Sequence, residues 1–226
     1  SIMKHFLSLA DWSADELVMA DGGAGLNWAI AWDSANFYLR LKDKNFKSDI
    51  PARLDIYFDT TMGFELNPSA ATNANGTEYA FDYDTSSDAR QFIKSSRAKF
   101  NADYYVRIGH NGTNDYGNLY KHNNANYWDT ATDLWTTCTG CGRYVGWDAT
   151  QQITEVKIPF AFIGNPSSLR IIAFVTNSSS DDVYSLISGQ SGLLGQDNTP
   201  DTSTQKYFKL DRASILKPND ASLLAN

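Results

Sequence analysis

The chain has 226 residues and a formal net charge of −7, with 42% hydrophobic and 20% charged residues. That length can bury a core within one all-β domain without metals or staples. An acidic balance with no basic stripe argues against nucleic-acid binding and against an anionic membrane surface. No apolar run reaches the roughly 18 residues a spanning helix needs. The acids are lopsided, 22 Asp against 4 Glu. Asp belongs to turn chemistry and strong helix formers are scarce, so a mainly helical protein is excluded.

Period-two alternation recurs along the chain and predicts strands. Leu26, Trp28, Ile30 and Trp32 alternate with Asn27, Ala29 and Ala31; Asp33-Ser34-Ala35-Asn36 is a turn cluster; Phe37, Leu39 and Leu41 then alternate with Tyr38, Arg40 and Lys42. This reads as a β-hairpin with one buried face. Leu54, Ile56 and Phe58 mark the next strand, followed by 79–83 and 104–108. Ile153, Val156 and Ile158 mark a strand that ends at Pro159, which cannot donate to a ladder. The near-continuous apolar run 169–175 predicts a central strand, and 206–210 one that could close the sheet.

The stretches 60–76, 110–127 and 177–205 read as long polar loops. Helix-like patches are confined to 87–99 and 160–163. The expected fold is all-β: an antiparallel β-sandwich of jelly-roll or immunoglobulin-like two-sheet architecture, with long loops and at most one or two short helices. One domain spans 1–226, with 1–10 and 212–226 as terminal extensions.

Cys138 and Cys141 form a Cys-x-x-Cys pair. A zinc site would need two more ligands, and His110 and His122 do not fit a common spacing. A thioredoxin-like motif would need a βαβ context. The expected reading is a small disulfide pinning a loop tip in an oxidising compartment.

Four stretches carry a family resemblance: Leu7-Ser-Leu-Ala-Asp-Trp-Ser-Ala-Asp-Glu-Leu17, the hairpin from Trp28 to Leu39, Leu54-Asp-Ile-Tyr-Phe-Asp-Thr60, and Thr154-Glu-Val-Lys-Ile-Pro-Phe-Ala-Phe-Ile-Gly164 before the strand 169–175. Together, over 7–211, they resemble the DOMON-like and family-9 carbohydrate-binding-module-like β-sandwiches. The resemblance implies a secreted, non-catalytic sandwich, often appended to glycoside hydrolases or surface proteins. Many members bind sugars, some carry calcium, and one branch binds haem. The matching residues are mainly fold-bearing: Pro159 stops a strand, Gly164 permits a turn, and Glu155 has a solvated or cross-strand ion-pair role.

Sugars stack their C–H faces on Trp and Tyr rings while Asp and Asn bond the hydroxyls. Trp28 and Trp32 lie on an apolar strand face and read as core, and Trp12 as a core plug. The candidate ligand-binding set is Trp128, Trp135 and Trp147 with Tyr120, Tyr127, Asp129 and Asp133, which could instead be a second mini-core beneath the loops. Calcium wants six to eight hard oxygens. Asp59, Asp82 and Asp84, near strand ends beside a long loop, are the candidate ligands, with Asx-turn chemistry as the plain alternative.

Haem would need an axial pair that Met19, Met62, His5, His110 and His122 do not visibly make. No Gly-x-Ser-x-Gly elbow or phosphate-cradling loop is present, and paired carboxylates are too easily found among 26 acids to signal glycoside hydrolysis. The expected function is therefore a non-catalytic carbohydrate-binding module, secreted or at the cell surface, with other domains beside it. A structural or adhesive surface domain is the alternative, and a haem-binding electron carrier the third reading.

Overall fold

A computed structural model describes residues 12–19, 25–46, 52–61, 103–110, 115–122, 128–134, 144–176, 183–187, 207–213 and 224–225. Among them are thirteen strands, all paired antiparallel, in two sheets. This is the expected all-β two-sheet sandwich. The first sheet has the order β1-β2-β3-β9-β8: β1 is Leu17–Met19, β2 Asn27–Trp32, β3 Asn36–Lys42, β9 Ile153–Pro159 and β8 Val145–Asp148. The second runs β13-β12-β10-β4-β5-β6-β7. There β4 is Ala52–Asp59, β5 Tyr104–His110, β6 Asp115–His122, β7 Trp128–Asp133, β10 Ser168–Thr176, β12 Tyr207–Asp211 and β13 Leu224–Ala225. A short β11, Val183–Leu186, pairs with the last part of β10, while β12 pairs with its first part.

Alternation decides which side chains meet between the sheets. The first sheet contributes Trp28, Ile30, Phe37, Leu39, Leu41, Val145, Val156 and Ile158, all buried. The second contributes Leu54, Ile56, Phe58, Val106, Ile108, Leu119, Leu169, Ile171, Val175, Phe208 and Leu210. Trp28 crosses the interior, and its indole N–H donates to the Ser185 hydroxyl of β11 at 2.7 Å, a buried polar contact between the two sheets.

Strand β10 is central, paired with β4 on one side and with β12 and β11 on the other. Its outer face is apolar at Ile172 and Phe174, which are as buried as the inner residues, and charged at Arg170. The stretch 110–127, read from the sequence as a loop, instead contains β6; β11 likewise lies within the expected polar excursion 177–205. The C-terminal extension returns to the sheet as β13, where Leu224 and Ala225 pair with Phe208 and Tyr207. Residues 79–83 and 87–99 lie outside the described residues.

The sheets approach closely where β6 meets β8. A Cβ on Gly117 would lie 3.1 Å from Val145 Cγ2 and 3.6 Å from Leu134 Cβ. Gly117→Leu should therefore force overpacking and lower stability by about 1–3 kcal/mol, read as a fall in the urea midpoint. An unchanged midpoint would contradict the contact.

Asx turns explain part of the Asp excess. The carboxylate of Asp33 accepts from the backbone N–H groups of Ala35 and Asn36, both at 2.7 Å. Asp148 accepts from Thr150 and Gln151 at 2.8 and 3.0 Å, Asp211 from Ala213 at 2.9 Å, and Asp59 from Thr61 at 3.2 Å. These short side chains close turns that Glu cannot reach. At the end of β9, Pro159 leads into a 3-10 turn, Phe160–Ile163, which ends on Gly164 at φ 79°. Glycine adopts that left-handed geometry at little cost. Both residues play the parts expected of them.

The hairpin turn is also a pH element. Burial tends to raise Asp33, but the N–H groups of Ala35 and Asn36 and the Tyr38 hydroxyl, donating at 2.9 Å, hold it below the usual carboxylate range. Tyr38 is pushed up to about 12 by burial and by its bond to Asp33. A depressed carboxylate stabilises the fold above its unfolded pKa, and that contribution is lost as pH falls through its folded value; a raised phenol stabilises below about pH 10, and its contribution fades toward 12. Asp33→Ala should cost about 1–2 kcal/mol at pH 7 in urea denaturation, from the lost turn hydrogen bonds. The deficit should shrink as pH falls below the ordinary carboxylate range and through the lowered folded value at which Asp33 protonates. A deficit independent of pH would contradict the assignment.

Candidate functional site

The outer face of the second sheet carries chemistry that an ordinary solvent face does not. Its residues are the alternate ones of β10, β4, β5, β6 and β7, brought into rows by the register. One row runs Ile172, Tyr57, Tyr105, Tyr120, Thr130; its neighbour runs Phe174, Asp55, Arg107, Asn118, Asp133. Arg53 and Tyr116 flank Gly109 in the next row.

Four rings form a continuous stack across four strands. Tyr57 and Tyr105 have centroids 4.5 Å apart at 15°, Tyr105 and Tyr120 are 5.6 Å apart at 21°, and Tyr57 and Phe174 are 5.8 Å apart at 23°. Offset stacking of this kind adds to the stabilisation from burial. The stack is graded in exposure: Tyr57, Tyr105 and Phe174 are fully buried, whereas Tyr120 is half-buried, as are Tyr116 and Asn118 on the same strand.

Beside the rings lies a buried ionic cluster. Asp55, with no exposed surface, receives Nε of Arg53 and Nε of Arg107, each at 3.3 Å, and the Tyr105 hydroxyl. Arg107 also donates to the Tyr105 hydroxyl and lies 5.2 Å from that ring's centroid. Burial pushes the Tyr116 hydroxyl up, while Arg53 and Arg107 pull it back and Asp55 adds to the rise. At the far end of β4, Asp59 is fully buried and receives Arg170 Nη1 at 3.2 Å; Arg170 also lies over the Tyr207 ring at 5.1 Å.

The sequence-predicted residues divide accordingly. Tyr120 ends the ring stack, and Asp133 is exposed at the end of β7, opposite Asn118. Trp128 and Asp129 occupy β7 positions opposite His122 and Lys121. These four therefore share the β6–β7 edge. Trp147 does not join them: it sits on β8 of the other sheet, opposite Thr154, half-buried against the core. Trp135, Tyr127, Asp82, Asp84, Cys138 and Cys141 lie outside the described residues. Asp59 directs one carboxylate oxygen to Arg170 and the other to the Thr61 N–H. Among the described residues no group of three or more His, Cys, Asp or Glu could hold a metal ion.

Trp12 is not a plug between the sheets. It covers the outer face of the first sheet, donating its indole N–H to Glu155 at 2.5 Å with Arg40 5.1 Å from its ring centroid. Glu155 is buried, in register with Arg40. The cross-strand reading of Glu155 holds and the solvated one does not.

Sequence reasoning missed Arg53, Asp55, Tyr57, Tyr105 and Arg107, which looked like the polar face of ordinary half-exposed strands. The available signal was Arg53-x-Asp55-x-Tyr57 on one strand and Tyr105-x-Arg107 on the next, together with a near-continuously apolar central strand. Among the described residues no helix is long and apolar enough to cross a membrane. Compared with family models, curated proteins and solved structures, the chain matches none.

Proposed function

We propose that this chain is a non-catalytic carbohydrate-binding module of a secreted or cell-surface protein, taking an oligosaccharide or polysaccharide along the β6–β7 side of the second sheet's outer face. The observation that carries the reading is the half-buried end of the ring stack at Tyr120, set beside Asn118 and the exposed Asp133. A flat ring with amide and carboxylate groups at strand spacing matches the alternation of C–H faces and hydroxyls on a sugar chain. Trp128, two residues from Thr130 on the neighbouring strand, occupies a position for a further contact. The sequence resemblance to family-9-like and DOMON-like sandwiches points the same way. Single-site affinity of such an open face is weak and suits a domain used in several copies or beside a catalytic partner.

The test is electrophoresis through gels containing a panel of soluble polysaccharides. At least one should retard the protein, and Tyr120→Ala, Trp128→Ala and Asp133→Ala should each reduce the retardation, by about tenfold in affinity for the ring variants. No retardation by any polysaccharide, or retardation that all three variants keep, would overturn the reading. A structural or adhesive surface domain is the second reading. It is favoured by Trp147 and by the inner members of the stack, which are packed rather than presented.

A further inference from the structure

Resting on the carbohydrate reading, we infer that the bound sugar chain runs along β6, parallel to the strand, with Tyr116 as a second ring contact and Asn118 between it and Tyr120. The ligand is then a linear chain of about three sugars or more, not a single sugar or a disaccharide. The outer face of the second sheet is accessible unevenly. Toward β4 and β5 it closes: Asp55, Tyr57 and Tyr105 have no exposed surface, and the side chains of Arg53 and Arg107 keep 6% and 12%. Farther on, Ile172 and Phe174 of β10 are buried as well. Strand β6 differs. Its outer positions Tyr116, Asn118 and Tyr120 are all half-buried, while the inner Gly117 and Leu119 are buried. Alternate residues of a strand share a face, so these three stand in line at intervals of about 6.6 Å, a strip roughly 13 Å long. The neighbouring β7 lies about 4.8 Å away, as paired strands do. A chain laid across the strands toward β5 meets buried groups, whereas one laid along β6 meets three half-buried ones in succession.

Two groups in this strip carry hydrogen-bonding capacity that the described residues leave unused. Neither the Asn118 side-chain amide nor the Tyr116 hydroxyl makes a hydrogen bond to a described residue. An amide both donates and accepts, which suits the neighbouring hydroxyls of a sugar ring. Burial pushes the Tyr116 hydroxyl up, so it stays protonated and can donate at neutral pH. With a ring at each end of the strip and an amide between them, a chain too short to span the two rings gains contact with only one of them.

The experiment titrates the protein with ladders of linear oligosaccharides, one to six sugars long: β-1,4-linked glucose, xylose and mannose, and β-1,3-linked glucose. In at least one ladder the affinity should rise about tenfold between the disaccharide and the tetrasaccharide and then level off. Tyr116→Ala should remove that rise while leaving the disaccharide bound as in the parent, a selective loss that a merely structural role would not produce. Tyr116→Phe should keep most of the rise, and Asn118→Ala should weaken every length from the disaccharide upward. A disaccharide bound as tightly as the hexasaccharide, or a rise that survives in Tyr116→Ala, would overturn this inference and leave the carbohydrate reading standing. Where Tyr116→Ala melts early, Asn118→Ala carries the test, and parent-like affinity at every length overturns the inference. Failure of all four ladders, with a polysaccharide of the wider panel still retarding the protein, overturns the linear placement along β6 alone. Failure with every glycan overturns the carbohydrate reading, and this inference with it.

Discussion

Asp55→Ala should destabilise the protein by about 3–5 kcal/mol, the largest loss expected from any single polar substitution on the outer face. The carboxylate is fully buried between Arg53, whose side chain is 6% exposed, and Arg107, at 12%. Removing it takes a carboxylate partner from two guanidinium groups in a poorly solvated setting and an acceptor from the Tyr105 hydroxyl. For a chain of this length the loss corresponds to a melting temperature lower by roughly 6–20 °C. Asp55→Asn keeps the shape but not the charge and should recover only part of the loss. Arg53→Ala should cost less than Asp55→Ala, because it leaves the carboxylate with Arg107. Scanning calorimetry on the three variants checks the order, and an Asp55→Ala melt within about 1 kcal/mol of the parent would refute the buried cluster.

Trp28→Ala should cost about 3–5 kcal/mol through the cavity it opens in the middle of the sandwich. Trp28 is fully buried and belongs to the core contributed by both sheets. Its second function is specific, since the indole N–H reaches across to Ser185 at 2.7 Å. Trp28→Phe retains much of the ring and loses that donor, so a cost of about 1–3 kcal/mol is expected. A double-mutant cycle with Ser185→Ala isolates the inter-sheet bond. A coupling near 1 kcal/mol is expected, and additive losses would show that the bond contributes nothing.

The parts of the fold legible in the sequence are those where burial alone selects the residues. The hairpin β2–β3, and the strands β4, β9 and β10, announce themselves because their inner positions, Thr154 of β9 excepted, hold aliphatic or aromatic side chains. Strand β6 hides because one inner position is Gly117, where a Cβ would crowd Val145 of the opposite sheet at 3.1 Å. Strand β11 hides because its inner position is Ser185, the acceptor Trp28 needs. In both places a tertiary contact dictates the residue, and no local pattern can reveal it.

The candidate site was legible at its edge and hidden at its centre. Tyr120 and Asp133 stood out because they occur in an aromatic and polar stretch with little aliphatic cover. Tyr57, Tyr105, Asp55 and Arg107 lie on strands whose other face is plainly core, so their polar alternation looked like solvent exposure. Only the register joins them, by placing Tyr57 opposite Tyr105 and Tyr105 opposite Tyr120. Trp147, grouped with the platform by its neighbours in sequence, is separated from it because the chain changes sheets between β7 and β8. Part of the Asp excess resolves into Asx turns, at Asp33, Asp59, Asp148 and Asp211. Asp55 closes no turn and instead pairs with Arg53 and Arg107 in the buried cluster of the outer face.

The most direct measurement is a backbone amide chemical-shift titration of the labelled protein with an oligosaccharide cut from whichever polysaccharide retards it most. The expected result is a set of saturable shifts confined to β5, β6 and β7, centred on Arg107, Asn118, Tyr120 and Asp133, with Trp147 and the first sheet unmoved. Shifts centred on β8 and Trp147, or none at saturating sugar, would contradict the placement of the site on the outer face of the second sheet.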